Sequence, residues 1–437
     1  MKRSVPQFLI RRLWIRASAL LLLLLFLNPI PIAVTQTDRP SLELKIAVFE
    51  DVWKTINERY YDANFNGVDW KAQHKRYRPL IEQAREQAEF YRLLRQMVGS
   101  LRDSHTRVFP PDERFDWRYP RIITVGLSVR KVENRAVVIE VALGSEAEAK
   151  GIRPGYIVSQ VDGAPVEDLI KSLRRDQSFA STQRSSEARL YSRIFYGKKD
   201  TPVRATFIDG LGKRHTITLM RREAQAEPKL SFDRLADGYG YIKFNGFWPE
   251  TEKAFAGAIG ELHNAPGLII DLRDNGGGAA LSAAQMASHL IYGEVSLGKF
   301  VSRRGRVIEP RTERINRKYL YNGPVVVLID ERSGSGAEIF AAALQEAGRA
   351  QLIGRPSCGC VLGINQKHDL PDGGQLDVSE VDYRTAMGAR LEGKGVIPDE
   401  LVELRVADIL AGRDVAMNRA IARLRLAAEP ASIRSAQ

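Results

Sequence analysis

PVVVLIDERSGSGAEIFAAALQEAGRAQLIG, residues 324–354, is the stretch that decides the fold. Val325 to Ile329 form a short, wholly apolar run, which suits a strand buried on both faces. The SGSG tetrapeptide at 333–336 interrupts it. GAEIFAAALQEAG (336–348) is then long and apolar enough for a packed helix, and AQLIG (350–354) reads as a second buried strand. Strand, helix and strand within some thirty residues make a βαβ unit, which demands parallel pairing.

The same alternation extends upstream. YGYIKFNGF (239–247) precedes a helical TEKAFAGAIGELHN (251–264), then the buried strand GLIIDLR (267–273), three glycines, and a second helix AALSAAQMASHLIYG (279–293). Residues 228–403 are therefore expected to form an α/β domain. A C-terminal tail, 404–437, carries the helical stretch DVAMNRAIARLRLAA.

The rest of the chain differs in character. LELKIAVFEDVWKTINERYY (42–61) and AEFYRLLRQMVGSL (88–101) place apolar residues three and four apart, which predicts helices within a domain at 41–120. Residues 121–224 are rich in short β runs. Within them, GSEAEAKGIRPGYIVSQVDGAPV (144–166) reads as a short helix, a glycine turn, a strand and a tight Asp-Gly turn. This stretch resembles a PDZ domain. The resemblance puts Val125, Gly126, Leu127 and Ser128 in the loop that receives a peptide's terminal carboxylate, beside a strand edge open to β-addition. KSLRRDQSFASTQRSSEARLYSRIFYG (171–197) reads as a partly helical insertion. At the N-terminus, five cations precede the apolar run ASALLLLLLFL (17–27). Residues 1–34 are read as a secretory signal peptide, with an uncleaved membrane anchor as the alternative; either places the remainder outside the cytoplasm.

The formal charge of +12 is partly that leader's: without its five cations, 60 Lys and Arg face 53 Asp and Glu. No basic stripe with interleaved aromatics is present, so nucleic acid is excluded as a partner. No HExxH, paired CxxC or calcium-loop pattern occurs, and neither metal nor cofactor is expected.

Chemistry concentrates where two glycine-rich loops follow buried strands. DLRDNGGG (271–278) lacks the lysine of a phosphate-binding loop and the spacing of a dinucleotide fingerprint. Its Asp271, Arg273 and Asn275 are expected to shape the loop through buried hydrogen bonds, with Asp274 exposed. In DERSGSGAEIF (330–340), Ser333 and Ser335 stand at a strand-to-helix junction, with Glu338 at the N3 capping position. A serine at a helix start is ordinarily a cap. The same place also supplies unpaired amides and a favourable dipole for a developing oxyanion.

Together, GYIKFNGF, LIIDLRDNGGG, PVVVLIDERSGSGAEIFAAALQEAGRAQLIGRPS and LEGKGVIPD (391–399) resemble the carboxyl-terminal processing (tail-specific) serine peptidases, over residues of about 45 to 425. The resemblance implies a helical N-terminal segment, an inserted PDZ-like β domain, and an α/β core with a crotonase-like central sheet. It implies Ser335 as nucleophile, the amides of Gly278 and Gly336 as oxyanion hole, and polypeptide substrates, engaged through their C-termini by the PDZ-like domain. Oligomeric state is not implied.

The general base departs from the Ser/Lys members. Cys360 stands where they carry lysine; Lys367 and Lys394 are the nearest lysines. The tricorn-core branch instead uses a histidine from the helical segment, a neighbouring serine and a glutamate near the C-terminus. Asp-Ser-His-Thr (103–106) and Glu392 match those motifs, so His105 is the expected base, with Ser104 and Glu392 completing a relay. His74, His215, His263, His289 and His368 are read as surface or packing residues. Two rivals stay open: a pseudopeptidase serving as a peptide-binding scaffold, and a Cys360 thiolate base. Cys358 and Cys360 form either a bridge or free packing thiols.

Overall fold

The computed structural model describes residues 40–176 and 180–428; the leader at 1–34 and residues 429–437 lie outside them. No helix among the described residues is long and apolar enough to cross a membrane.

Three helices come first: α1 (Leu42–Arg59), α2 (Trp70–Gln83) and α3 (Gln87–Gly99). Ser41 and Asp69 cap the first two by accepting from amides in the first turn. Their inner faces bury Val48, Phe49, Val52, Ile56, Phe90, Leu94 and Met97 in one cluster with Leu376 and Val378 from far along the chain. The link is a small sheet in which β1 (Arg107–Phe109) pairs antiparallel with a later strand, Arg107 opposite Asp377. The segment between α3 and β1 is thereby pinned against the C-terminal half of the molecule.

After β2 (Arg121–Thr124) comes a β domain: β3 (Leu127–Val132), β4 (Arg135–Val141), α4 (Glu146–Ala149), β5 (Ile157–Val161), β6 (Ala164–Pro165), α5 (Val166–Asp176), α6 (Gln183–Ser192), β7 (Pro202–Ile208) and β8 (Arg214–Met220). The sheet order is β3-β4-β5-β7-β8, with β6 paired to β5, so β3 is an edge strand. The stretch read as an insertion is instead integral to this domain. Leu190, Tyr191, Ile194 and Phe195 are buried in its core with Val129, Val158 and Phe207, and α6 runs alongside β3. Polar residues on its outer face hide this role from the sequence.

β9 (Arg222–Gln225) pairs with β2 and returns the chain to the α/β core. The core comprises β10 (Leu230–Arg234), β11 (Gly240–Phe244), α7 (Pro249–Leu262), β12 (Leu268–Asp271), α8 (Ala280–Ser288), β13 (Lys299–Ser302), β14 (Val307–Ile308), β15 (Val325–Ile329), α9 (Gly336–Glu346), β16 (Ala350–Gly354), β17 (Lys367–Asp369), β18 (Gln375–Asp377), β19 (Val381–Arg384) and β20 (Glu400–Leu401). Its main sheet runs β10-β11-β12-β15-β16-β20, antiparallel at β10/β11 and parallel thereafter. The expected α/β class, with parallel β12, β15 and β16, is what forms. Every side chain of β12 and β15 is buried. That is why both strands read as unbroken apolar runs.

Two terminal helices finish the chain. Val406 and Ile409 of α10 (Val406–Leu410) pack on Val132 and Val137 of the β domain. Ala420 and Leu424 of α11 (Val415–Ala428) cover Ile269 and Val326 of the main sheet.

Candidate active site

The carboxyl ends of the neighbouring strands β12 and β15 carry the two glycine-rich loops, where open parallel sheets place their sites. The β12 loop is built by its own polar residues. Asp271, wholly buried, accepts from Arg273 at 2.7 and 2.9 Å; Asn275 donates to Phe244 O at 3.0 Å and accepts from Gly277 N at 3.0 Å. Only glycine fits positions 277 and 278. Gly277 has φ 101° and Gly278 φ 139°, and a Cβ there would lie 2.5 Å from Gly334 O or 2.4 Å from Phe247 O, respectively. The two loops are thus in backbone contact.

On the β15 loop the two serines divide. Ser333 is wholly buried, donates to Leu272 O at 2.7 Å and accepts from Asp330 N, so it ties the loops together. Ser335 sits at the start of α9 with φ 50° and ψ −117°, a conformation that L-residues avoid. Its amide is held by Cys360 O at 2.9 Å and by the Glu338 carboxylate at 3.1 Å. Gly336 follows immediately, and a Cβ there would stand 3.1 Å from Gly278 N. Among the described residues neither the Gly278 nor the Gly336 amide donates to a protein acceptor. Two free amides thus flank Ser335, the arrangement an oxyanion requires.

Glu338 is the buried post beneath the nucleophile turn. It also accepts from Ser357 Oγ at 2.6 Å, Gly359 N at 2.7 Å and Cys360 N at 2.9 Å. Burial raises its pKa, and those donors oppose the rise. Cys358 and Cys360 are joined by a disulfide, which packs against Gly334 and leaves no thiolate to act as base. Glu338 and the two sulfurs lie within 4.8 Å of one another, a donor set only for a reduced pair.

His105 is buried, its amide donating to Asp103 Oδ1 at 2.7 Å and its ring stacked on Trp117. Burial, countered by Asp103 but joined by the cations of Arg107 and Arg189, lowers its pKa to about 4. The ring is therefore neutral at pH 7, with a nitrogen free to take a proton. Nδ1 is buried without a partner, and no hydrogen bond joins the ring to Ser335. Ser104 pairs with Ser181, not with Glu392. The Ser181 hydroxyl lies 2.9 Å from Ser104 Oγ. Glu392 accepts from Val361 N at 2.7 Å, one residue from the carbonyl that holds Ser335. Burial first, then Asp103, push Glu392 up to about 8. Ser181 carries no motif and lies 77 residues from Ser104, so nothing in the sequence marks it.

The lysines stand elsewhere. Lys367 donates to Phe115 O at 3.1 Å, and Lys394 is exposed. Val125 to Ser128 lead into edge strand β3; Gly126 N donates to Thr124 Oγ1 at 3.0 Å. Next on that strand, the buried Arg130 pairs with Asp330 at 2.6 Å, Asp274 at 2.6 Å and Glu331 at 2.9 Å, beside the nucleophile loop. Asp274 is exposed, as expected.

Residues 238–402 match Peptidase family S41, and residues 47–99 match the Tricorn protease C1 domain. Over residues 238–402 this chain carries the peptidase domain that the S41 family model describes. It is a serine-type peptidase. Similarity extends along most of the chain: the carboxyl-terminal-processing protease of Synechocystis sp. is 27% identical over 424 residues, covering 94% of this chain and 93% of that protein. Two solved structures share its fold. Mature CPAF superposes with a TM-score of 0.66 at 15% identity, covering 84% of this chain and 94% of CPAF. The photosystem II D1 C-terminal processing protease superposes with a TM-score of 0.56 at 23% identity, covering 85% and 98%.

Proposed function

We propose that this chain is an extracytoplasmic endopeptidase that cleaves polypeptides through an acyl-enzyme on Ser335. The observation that carries the reading is the strained Ser335 turn flanked by the free amides of Gly278 and Gly336. Ser335 Oγ attacks the scissile carbonyl and passes its proton to His105. The oxyanion is received by the two amides. His105 then protonates the leaving amine, and activates the water that releases the acyl group. A neutral imidazole suits this role, and catalytic hydrogen bonds commonly close only around bound substrate.

The β domain is read as PDZ-like. Edge strand β3, with α6 beside it, offers backbone groups to an added strand, and Val125, Gly126, Leu127 and Ser128 receive a substrate C-terminus. The basic, apolar N-terminal segment supports secretion, with or without a membrane tether.

The test is hydrolysis of a reduced, unfolded protein substrate by the wild type, Ser335→Ala and His105→Ala. Both variants should lose activity while remaining folded. Undiminished hydrolysis by Ser335→Ala would eliminate the nucleophile, and by His105→Ala the base.

A further inference from the structure

We propose that Trp117 is the positioning residue of the base, an aromatic platform that fixes the plane of the His105 ring. This rests on the reading of His105 as base. In serine triads a carboxylate on one ring nitrogen holds the imidazole in orientation. Here Nδ1 is buried with no hydrogen-bond partner. Asp103, two residues before the histidine, is spent on the loop itself: Oδ1 accepts from the His105 amide at 2.7 Å, and Oδ2 from the Thr106 hydroxyl. Those bonds fix the backbone and leave the ring to be held by other means.

Trp117 supplies them. The two rings stack with centroids 5.8 Å apart and planes 24° from parallel. A stacked ring cannot turn about its Cβ–Cγ bond without losing that contact, and stacking covers its face rather than the edge that carries the nitrogens. The indole is itself fastened from several directions. Its Nε1 donates to Asp377 Oδ2 at 2.8 Å; Asp377 is wholly buried, and Oδ1 accepts from Gln375 Nε2 at 2.9 Å. The Arg107 guanidinium lies 4.9 Å from the indole centroid and donates to Ser104 O at 2.8 Å, which ties the indole to the residue before His105. Phe115 meets the indole edge-on at 4.9 Å, and its amide donates to Gln375 Oε1 at 3.2 Å. Beyond Trp117, Arg118 pairs with Glu250 and Tyr119 donates to the same carboxylate at 3.3 Å. Glu250 lies in the first turn of α7, three residues past Phe247, whose carbonyl abuts Gly278. The loop that carries Trp117 is thus anchored on β18 and on the oxyanion side of the site.

The same platform keeps water from the ring. Asp103 from its own loop, Arg107 from β1 and Arg189 from α6 face the imidazole, and burial is the largest cause of its lowered pKa. Uncovering the ring should therefore raise that pKa toward its ordinary value.

The experiment is a kcat and KM profile against pH for the wild type, Trp117→Leu, Trp117→Phe and His105→Ala, with thermal melting of each. Trp117→Leu keeps apolar bulk but has no aromatic face. It should lower kcat about tenfold or more with KM little changed, and move the acid limb of kcat/KM to higher pH. Trp117→Phe restores a face and should recover most of kcat. A wild-type-like kcat and acid limb in Trp117→Leu, or equal losses in the two variants, with His105→Ala inactive, would overturn the role of Trp117 alone. Activity retained in His105→Ala would overturn the base, and this role with it. Where Trp117→Leu does not fold, the wild type decides. In protein labelled with 13C-histidine, the His105 ring-proton resonance, identified by its loss in His105→Ala, should be shifted upfield by the indole. An unshifted resonance would overturn the stack.

Discussion

A serine at φ 50° persists because its neighbours hold it on every side. Such strain costs about 1–3 kcal/mol and survives only where the surroundings over-determine it. Here Cys360 O and Glu338 grip the amide, while Gly277 and Gly278 press from the neighbouring loop. Gly278→Ala should therefore lower kcat/KM by roughly 100-fold, since the Phe247 contact displaces an oxyanion donor; steady-state kinetics on a peptide substrate would show it. Glu392 makes a separate prediction about stability. Its folded pKa of about 8 lies above its ordinary value of 4.5, so the folded form binds the proton more tightly. Its contribution is full below pH 4.5 and is lost as pH rises toward 8. Urea midpoints across that range should fall with pH less steeply in Glu392→Gln than in the wild type. The strand–turn–helix setting of Ser335, Gly278 and Gly336 was legible because it is local in the sequence. Ser181 and Arg130 were not, because their partners lie 77 and 200 residues away and only the fold brings them together.

At the scale of elements, the Cys358-Gly-Cys360 turn is a bracket for α9. It presents Cys360 O to Ser335 N, and turns Gly359 N and Cys360 N toward Glu338. Opening it with a dithiol, or replacing both cysteines by serine, should lower kcat roughly tenfold or more, since small misplacements at a reacting group are costly. Melting temperature and activity measured together would separate lost positioning from lost folding. The buried strands β12 and β15 were the most readable elements, because burial on both faces leaves an unbroken apolar run. Helix α6 was misread as part of an insertion. Its apolar spacing is hidden by QRSSEAR, and its apolar anchors Leu190, Tyr191, Ile194 and Phe195 cluster at its end and just beyond.

Across the whole molecule, the helical segment, β domain and core meet at the nucleophile loop. Arg130 is the principal rivet between β3 and that loop. Burial pushes the Asp330 carboxyl up, but Arg130 and Arg355 outweigh it and hold it at about 2. Removing one partner from a buried ion cluster strands the others, so Arg130→Ala should cost about 3–5 kcal/mol, read by urea unfolding. The order of segments was visible in composition and periodicity; their convergence was not, because it depends on ion pairs and serine contacts between distant loops. The central claim is that Ser335 is the nucleophile, and covalent capture tests it most directly. An alkyl fluorophosphonate should add one adduct per chain, mapped by peptide mass spectrometry to Ser335 and absent from Ser335→Ala. Stoichiometric labelling at another residue, or no adduct on a chain that hydrolyses substrate, would contradict it.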